Sequence, residues 1–173
     1  YTYFTFGNTL QLLPVGLFGT SIAKAALPTL SRQADEPGEF RKTLFGALYQ
    51  IVFLILPVST ILIVLRIPLV RLIFGTDIFS WEATVQTGMV VSAFAVGAVF
   101  QAAAALMARG FYALHDTKTP VAISLSAILL IIVVDFILIR GVGLPAWGLA
   151  AAFSLGSALQ ASLLFLFINK KIG

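Results

Sequence analysis

Long apolar runs separated by short polar stretches dominate the chain. Uncharged runs cover residues 1–23, 43–65, 83–108 and 141–169, and a further run, 119–139, is interrupted only by Asp135. A helix needs about 20 apolar residues to cross the hydrocarbon core of a bilayer. The pattern therefore predicts an all-α fold, a polytopic bundle that forms a single transmembrane region over 1–173, with spans at about 3–31, 43–65, 81–108, 119–140 and 145–169.

The first predicted span is interrupted by prolines. Pro14 is followed by Gly16 and Gly19, and Pro28 lies near the end of the span. A proline removes a backbone donor and clashes with the preceding turn, so a bend is expected at Pro14. In a membrane, the carbonyl that loses its partner must be satisfied inside the protein or in a wet cavity.

Polar connectors separate the spans. Residues 32–42 and 109–119 are predicted as loops in water, because charged, glycine and proline residues concentrate there. The segment 66–75 is too short and too basic to cross a bilayer, so a short helix or turn in the interface is predicted.

Helix start signals precede three of the spans. Ser80 is placed to cap the third span. Thr119 is placed to cap the fourth, with Pro120 in the first turn, where a missing backbone donor costs nothing. Asp116 or Thr117 can also accept from backbone donors before this span. Pro145 gives the fifth span a similar start.

The composition agrees with membrane insertion and excludes several kinds of chemistry. Hydrophobic residues make up 60% of the chain and charged residues 10%, whereas a soluble domain is about 25% charged. With no cysteine and one histidine, the chain cannot form a disulfide or a histidine metal cluster, so neither a metal nor a cofactor is expected. No catalytic motif is present, which predicts a protein that is not an enzyme.

The basic residues predict orientation. They are spread over the connectors rather than gathered on one face, which argues against nucleic acid as a partner. Cytoplasmic loops carry the excess of lysine and arginine, so the loops 32–42 and 109–119 and the C-terminus are predicted to be cytoplasmic. The residues on that side are Arg32, Arg41, Lys42, Arg109, Lys118, Lys170 and Lys171, against Arg66, Arg71 and Arg140 on the other.

The start of the chain predicts a fragment. Tyr1 opens inside an apolar run that lacks the basic segment and cleavage site of a signal peptide. An internal fragment of a larger membrane protein is therefore expected.

Polar side chains inside the spans are the candidates for a substrate cavity. The alternative for each glutamine is an interhelical hydrogen bond, and the Lys24 ammonium is close enough to the inner boundary to reach the headgroups. A cavity would need several of these residues on one side of the bundle, which the sequence leaves open. The candidates are Asn8, Thr9, Gln11, Lys24, Gln50 and Gln101.

Asp135 is the carboxylate well inside a predicted span. A charged side chain at the centre of a membrane helix costs about 2.5–3.5 kcal/mol on insertion scales, so such a residue often marks an ion, proton or substrate path. Asp135 also lies near the outer end of its span, where it can reach water or a basic group. Both interpretations stay open, and Asp135 is the candidate for ion coupling.

Two motifs resemble the MurJ/MviN family of lipid II flippases. The run from Ala108 to Pro120 resembles the family signature Ala-Arg-x-Phe-Tyr-Ala-x-x-Asp-Thr-Arg/Lys-Thr-Pro, and Leu13 to Gly19 resembles its Leu-Pro-x-Gly-x-Phe-Gly helix. The resemblance covers essentially the whole chain, and a structural or gating role is expected for the motif residues. These are Pro14, Gly16, Gly19, Arg109, Phe111, Tyr112, Asp116, Thr117, Thr119 and Pro120.

The resemblance implies a fold and a function. It implies most of the second lobe of a two-lobe flippase in the multidrug/oligosaccharidyl-lipid/polysaccharide exporter superfamily, in the bacterial cytoplasmic membrane. Such a protein moves polyprenyl-pyrophosphate-linked peptidoglycan precursor, lipid II, from the inner to the outer leaflet by alternating access. The implied partners are this lipid-linked glycan, membrane lipids, a coupling ion (sodium or proton) and other proteins of cell-wall synthesis.

The chain departs from the family at cationic positions. Family members commonly carry an Asp-Arg pair where Asn8 and Thr9 stand here, and often a lysine at the position of Ala105. These departures keep two alternatives open. One is an exporter of another lipid-linked polysaccharide or of a drug in the same superfamily, and the other is a transport-inactive membrane scaffold domain.

Overall fold

The computed structural model describes residues 2–74, 80–138 and 146–172. The regular structure of these residues is helical throughout. The elements are α1 (Thr2–Pro14), a π-helical segment (Val15–Thr20), α2 (Ser21–Arg32), α3 (Pro37–Val64), α4 (Arg66–Phe74), α5 (Trp81–Ala113), α6 (Lys118–Ile137) and α7 (Ala146–Ile172).

The predicted spans are confirmed as helices. Five segments are long and apolar enough to cross a membrane. They are Phe4–Arg32, Pro37–Val64, Trp81–Ala113, Lys118–Ile137 and Trp147–Ile172. The end of the fourth predicted span at residue 140 and the predicted start at Pro145 lie outside the described residues.

Helix α5 forms the centre of the bundle. It contacts α1, the π-helical segment, α2, α3, α4 and α7, whereas α6 packs mainly against α7. Its buried side chains are mostly small, among them Ala98, Ala102 and Ala103, while Phe94 and Leu106 are fully enclosed. Small residues allow helix backbones to approach closely in a membrane, so the neighbouring helices pack tightly around α5.

The first span changes its winding immediately after Pro14. The π-helical segment begins at Val15 and continues to Thr20. Both the Thr20 and the Ser21 hydroxyls donate to the Gly16 carbonyl oxygen, at 2.9 and 3.2 Å. The predicted disturbance therefore takes the form of a wider helical turn, in which side-chain hydroxyls add hydrogen bonds to the backbone.

Two connectors are shorter than predicted. Residues 37–42 belong to α3, so the first connector is reduced to a turn at 33–36. Pro37 occupies the first turn of α3 and Glu39 follows in the same turn, where a missing donor is harmless and the helix dipole favours an anion. These signals lay within the predicted loop and account for its helical second half.

The second connector is also mostly helical. Helix α5 continues to Ala113, so Arg109, Phe111 and Tyr112 lie on a helix rather than in a loop. The helix ends in a Schellman motif, in which His115 N–H donates to Tyr112 O at 3.0 Å and Asp116 N–H donates to Phe111 O at 2.9 Å. His115 has a φ of 57° at the position that glycine usually occupies.

One of the two testable helix caps is confirmed and the other is wrong. Ser80 Oγ accepts a hydrogen bond from Ala83 N–H at 3.2 Å, as predicted. At the start of α6, Thr119 is not the cap. The Asp116 carboxylate accepts both the Thr119 backbone N–H at 3.1 Å and the Thr119 hydroxyl at 2.8 Å. A carboxylate is the stronger acceptor for free N–H groups at a helix start, so Thr119 acts as donor.

Candidate functional site

Helix α1 carries two of the cavity candidates in direct contact. Gln11 Nε2 donates to Asn8 Oδ1 at 3.1 Å, and Gln11 is 2% exposed. The Gln11 Oε1 atom is buried without a hydrogen-bond partner among the described residues. Thr9 is exposed, and its hydroxyl donates to the Thr5 carbonyl oxygen at 2.9 Å. This part of α1 carries neutral polar groups, of which Thr9 is exposed and Gln11 is buried.

The remaining candidates on the first two spans are exposed. Lys24 is exposed on α2, one turn beyond the π-helical segment, and Gln50 is exposed on α3. Exposed polar side chains on apolar spans need water, lipid headgroups or protein partners. The faces of α2 and α3 that carry them therefore require one of these surroundings.

Gln101 lies in a cavity of about 350 Å³ between α5, α6 and α7. Its Oε1 atom is buried without a hydrogen-bond partner among the described residues. Gln160 and Ser157 also line this cavity, and Gln160 Nε2 donates to Ser124 Oγ of α6 at 2.9 Å. Ala105, which stands where the family often has lysine, is part of the lining, so the described lining is mostly apolar, with a few polar groups and no charge.

The candidates thus occupy different places rather than one site. Asn8 and Gln11 are bonded on α1, whereas the described lining of the cavity around Gln101 includes none of the other five. Sequence reasoning did not identify the Gln160–Ser124 bond, because α6 and α7 contribute one partner each and no local pattern joins them.

Asp135 is half-buried near the end of α6. Its Oδ1 atom is buried without a hydrogen-bond partner among the described residues. No group of three His, Cys, Asp or Glu side chains that could hold a metal ion occurs among the described residues. Among the described residues, the Asp135 Oδ1 atom can therefore still accept a hydrogen bond.

The first motif forms the widened turn of the first span. Pro14 is buried at the end of α1, and Gly16 is exposed with open space beside it. Gly19 is buried against α5, where an added Cβ atom would lie 3.2 Å from the Ala102 Cα atom. The motif therefore combines a break in winding with a close helix contact.

The second motif spans the end of α5 and the start of α6. Phe111 is 1% exposed within the main core, whereas Tyr112 is 44% exposed and Arg109 is half-buried. Thr117 precedes α6 without a side-chain capping bond, and Pro120 is buried in the first turn. The two aromatic rings therefore have different surroundings, since Phe111 packs in the core and Tyr112 is exposed.

Asp116 joins this turn to the end of α7. Lys171 Nζ donates to Asp116 Oδ2 at 2.5 Å and lies 5.9 Å from the centre of the Phe111 ring. The Lys171 ammonium, together with the hydrogen bonds from Thr119, holds the pKa of Asp116 well below its usual range. Sequence reasoning missed the role of Lys171, since residues so far apart give no spacing signal.

A comparison with known protein families matches the whole chain. The family model described as "Lipid II flippase MurJ" matches residues 1–173. The chain belongs to the MurJ family. Membership confirms the resemblance that the two motifs carried.

Relatives in the MurJ family come from several organisms. A probable lipid II flippase MurJ of Thermotoga maritima is 31% identical over 95% of this chain and 33% of its own length. One of Vibrio cholerae is 31% identical over 92% of this chain and 30% of its own. The chain thus spans about a third of the length of these curated relatives.

A solved MurJ structure has a closely similar backbone. The structure described as lipid II flippase MurJ in an inward closed conformation superimposes with a TM-score of 0.86 at 26% identity. The match covers 97% of this chain and 35% of the solved one. The helices and their arrangement are therefore those of this part of MurJ.

Proposed function

We propose that the chain forms part of a flippase that moves lipid II, the polyprenyl-pyrophosphate-linked peptidoglycan precursor, from the inner to the outer leaflet. The observation that carries the proposal is the match of the MurJ family model to every residue of the chain. The similarity of the backbone to a solved lipid II flippase supports it.

The proposed mechanism is alternating access of a secondary-type transporter. A pyrophosphate and sugar headgroup cannot cross hydrocarbon unaided, so it needs a wet cavity while its lipid tail stays in the bilayer. The exposed polar side chains Thr9 and Lys24, which precede and follow the π-helical segment, support placing the first span beside such a cavity. Interrupted helices are typical of substrate paths in transporters.

We propose that the loops 32–42 and 109–119 and the C-terminus face the cytoplasm of a bacterial inner-membrane protein. The support is the excess of lysine and arginine on that side. In this orientation, the Asp116–Lys171 pair lies at the cytoplasmic ends of α5 and α7. The Arg66 and Trp81 end of the bundle then faces the outer leaflet.

Ion coupling is assigned to Asp135. Its buried Oδ1 atom has no hydrogen-bond partner among the described residues, which supports a site for sodium or a proton. In the full-length protein, Asp135→Asn is expected to change the dependence of transport on sodium or pH. Unchanged transport with unchanged dependence would contradict this role. Contacts with other cell-wall synthesis proteins are also part of the proposal.

A second candidate function is export of another lipid-linked polysaccharide. It is favoured by the neutral surface at Asn8 and Thr9 and by the uncharged lining at Ala105, since a pyrophosphate is usually met by arginine or lysine. In this case the headgroup contacts are made mainly by hydroxyl and amide groups.

Replacement in living cells tests the proposal. The full-length protein is expressed in bacteria depleted of their own lipid II flippase, with membrane insertion checked by fractionation. Continued growth and normal cell shape are expected. Lysis despite normal insertion contradicts lipid II transport. Rescue of a polysaccharide exporter mutant would then favour the second candidate, and failure of both rescues would favour a transport-inactive scaffold.

A further inference from the structure

Three helix ends meet at one end of the bundle. Helix α3 ends at Val64, and the spans of α5 and α7 begin at Trp81 and Trp147. These are the two tryptophans of the sequence. Indole rings concentrate at the boundary between lipid and water, so this end of the bundle lies at the depth of the lipid headgroups.

A cavity of about 330 Å³ opens between these helix ends. Arg66, Met89, Ser92 and Trp147 line it. Its volume is at the lower end of the range of about 300–1,000 Å³ that ligand pockets span. None of the activities proposed above uses this cavity.

The Arg66 side chain packs against a glycine of α5. A Cβ atom added at Gly88 would lie 3.4 Å from Arg66 Cγ and 3.0 Å from Ile67 Cδ1. The methylene groups of Arg66 therefore lie against the bare backbone of α5. Ser92, one turn further along the same helix, donates to the Gly88 carbonyl oxygen at 3.0 Å.

Among the described residues, the Arg66 guanidinium has one hydrogen bond. Its Nη1 atom donates to the Ile63 carbonyl oxygen at 3.3 Å. A guanidinium has five N–H donors in a planar fork that matches two phosphate oxygens. Arg71 differs, because its guanidinium lies over the Trp81 ring, 5.1 Å from the ring centre.

We propose that this cavity binds the phosphate of an anionic membrane phospholipid. The Arg66 guanidinium contacts two phosphate oxygens, and the indole N–H of Trp147 is a further donor. Met89, 43% exposed, meets the apolar start of the acyl chains. The proposal goes beyond transport, since lipid retention at this site does not require flipping.

The lining favours a phosphodiester over the pyrophosphate of a polyprenyl substrate. The described lining contains a single cation, Arg66. One guanidinium balances the single negative charge of a phosphodiester, whereas a pyrophosphate carries additional charge that would stay unpaired. A bulk phospholipid is also held at the correct depth by its own acyl chains.

Native mass spectrometry of the full-length protein tests this site. The protein is released from vesicles of phosphatidylethanolamine with 20 to 30% phosphatidylglycerol, roughly in the proportion of a bacterial inner membrane, and retained phosphatidylglycerol is counted. Arg66→Gln is expected to lower the affinity about tenfold, as befits the loss of a charged hydrogen-bonding partner. Arg66→Lys keeps the charge but loses the fork, so an intermediate affinity is expected.

The matched control is Arg41→Gln. Arg41 is exposed, as Arg66 is, but it lies over the Phe45 ring on α3, near the opposite end of the bundle. Arg41→Gln is expected to leave phosphatidylglycerol retention unchanged. Equal losses in both variants, or no loss in Arg66→Gln when the protein elutes and melts as the wild type does, would overturn the site.

A second arm distinguishes the source of the phosphate. Undecaprenyl pyrophosphate replaces phosphatidylglycerol in otherwise identical vesicles. Retention of phosphatidylglycerol that depends on Arg66, with weaker or no such dependence for the polyprenyl lipid, supports the proposal. Dependence on Arg66 for undecaprenyl pyrophosphate alone would overturn it.

Discussion

Asp116 and Lys171, 55 positions apart in the sequence, form an ion pair of 2.5 Å that joins the α5–α6 turn to the last turn of α7. The same carboxylate accepts two hydrogen bonds from Thr119 at the start of α6. One side chain of the family motif therefore connects three helices, which explains why an acidic residue at this turn matters for the fold.

Removing either partner of the ion pair is expected to destabilise the protein, but by different amounts. Lys171→Ala should cost about 0.2–1 kcal/mol, because the pair is partly exposed. Asp116→Ala should cost about 1 kcal/mol more, since α6 also loses its cap. Asp116→Asn keeps the cap and should match Lys171→Ala. Unfolding of the full-length protein in detergent measures all three, and equal effects of Asp116→Ala and Asp116→Asn would contradict the capping role.

The ion pair should be insensitive to pH near neutrality. The pKa of Asp116 is lowered in the folded protein, mainly by Lys171. A carboxyl group whose pKa is lower in the folded protein stabilises the fold at any pH above its pKa in the unfolded chain, about 3.9. This stabilisation is lost as the pH falls towards and through its pKa in the folded protein. The melting temperature difference between wild type and Asp116→Asn is therefore expected to stay constant from about pH 5 to 8. The lower limit of this range lies roughly one unit above the pKa of the unfolded chain. The difference should shrink below about pH 4, and a difference that changes between pH 6 and 8 would contradict the assignment.

Gly97 and Ser154 form a close contact between α5 and α7. Ser154 Oγ donates to the Ala93 carbonyl oxygen at 2.6 Å, and a Cβ atom added at Gly97 would lie 3.0 Å from Ser154 Cα and overlap its hydroxyl. Gly97→Ala is expected to destabilise the protein by about 1–3 kcal/mol. Ser154→Ala should cost only about 0.6 kcal/mol, the mean for a hydrogen bond between membrane helices.

Gly46→Ala is the control for this contact. Gly46 is exposed on α3 with nothing within 4 Å of an added Cβ atom. This substitution should be neutral or stabilise by up to about 1 kcal/mol, because alanine reduces the freedom of the unfolded chain. Thermal unfolding in detergent compares the variants. Equal melting temperatures for Gly97→Ala and Gly46→Ala would show that α5 and α7 are not in close contact.

Single cysteines can determine the orientation. The chain contains no cysteine, so His115→Cys and Leu72→Cys can be introduced into a full-length protein freed of other cysteines. His115 is exposed in the α5–α6 turn, and Leu72 is 82% exposed on α4. An impermeant thiol reagent added to intact cells is expected to label position 72 and not position 115. The reverse labelling would invert the proposed topology.

The spans could be predicted because they depend on local composition. Each is a run of apolar residues longer than a bilayer crossing requires, so the five helices were found with errors only at their ends. The errors have physical causes. Pro37 begins α3 inside a charged stretch, and His115 ends α5 at a position where glycine would have signalled the boundary.

The candidate site could be predicted only in part. The π-helical segment begins directly after Pro14, so the position of a disturbance in the first span follows from the chemistry of one residue, although the expected form was a bend. The partners of Gln160 and Asp116 lie on other helices, so they depend on how α6 and α7 pack. Packing of membrane helices is decided by small contacts such as that of Gly97 with Ser154, which leave no periodic signal in the sequence.

Transbilayer movement of lipid II in vesicles tests the central claim most directly. The full-length protein is reconstituted into liposomes that contain fluorescent lipid II, and the fraction exposed to a membrane-impermeant quencher is followed over time. Quenching is expected to proceed to nearly all of the lipid II in protein-containing vesicles and to stop at about half in protein-free ones, since a bilayer without a flippase holds the polar headgroup in its leaflet. Quenching that stops at the same level with and without the folded protein would contradict this claim.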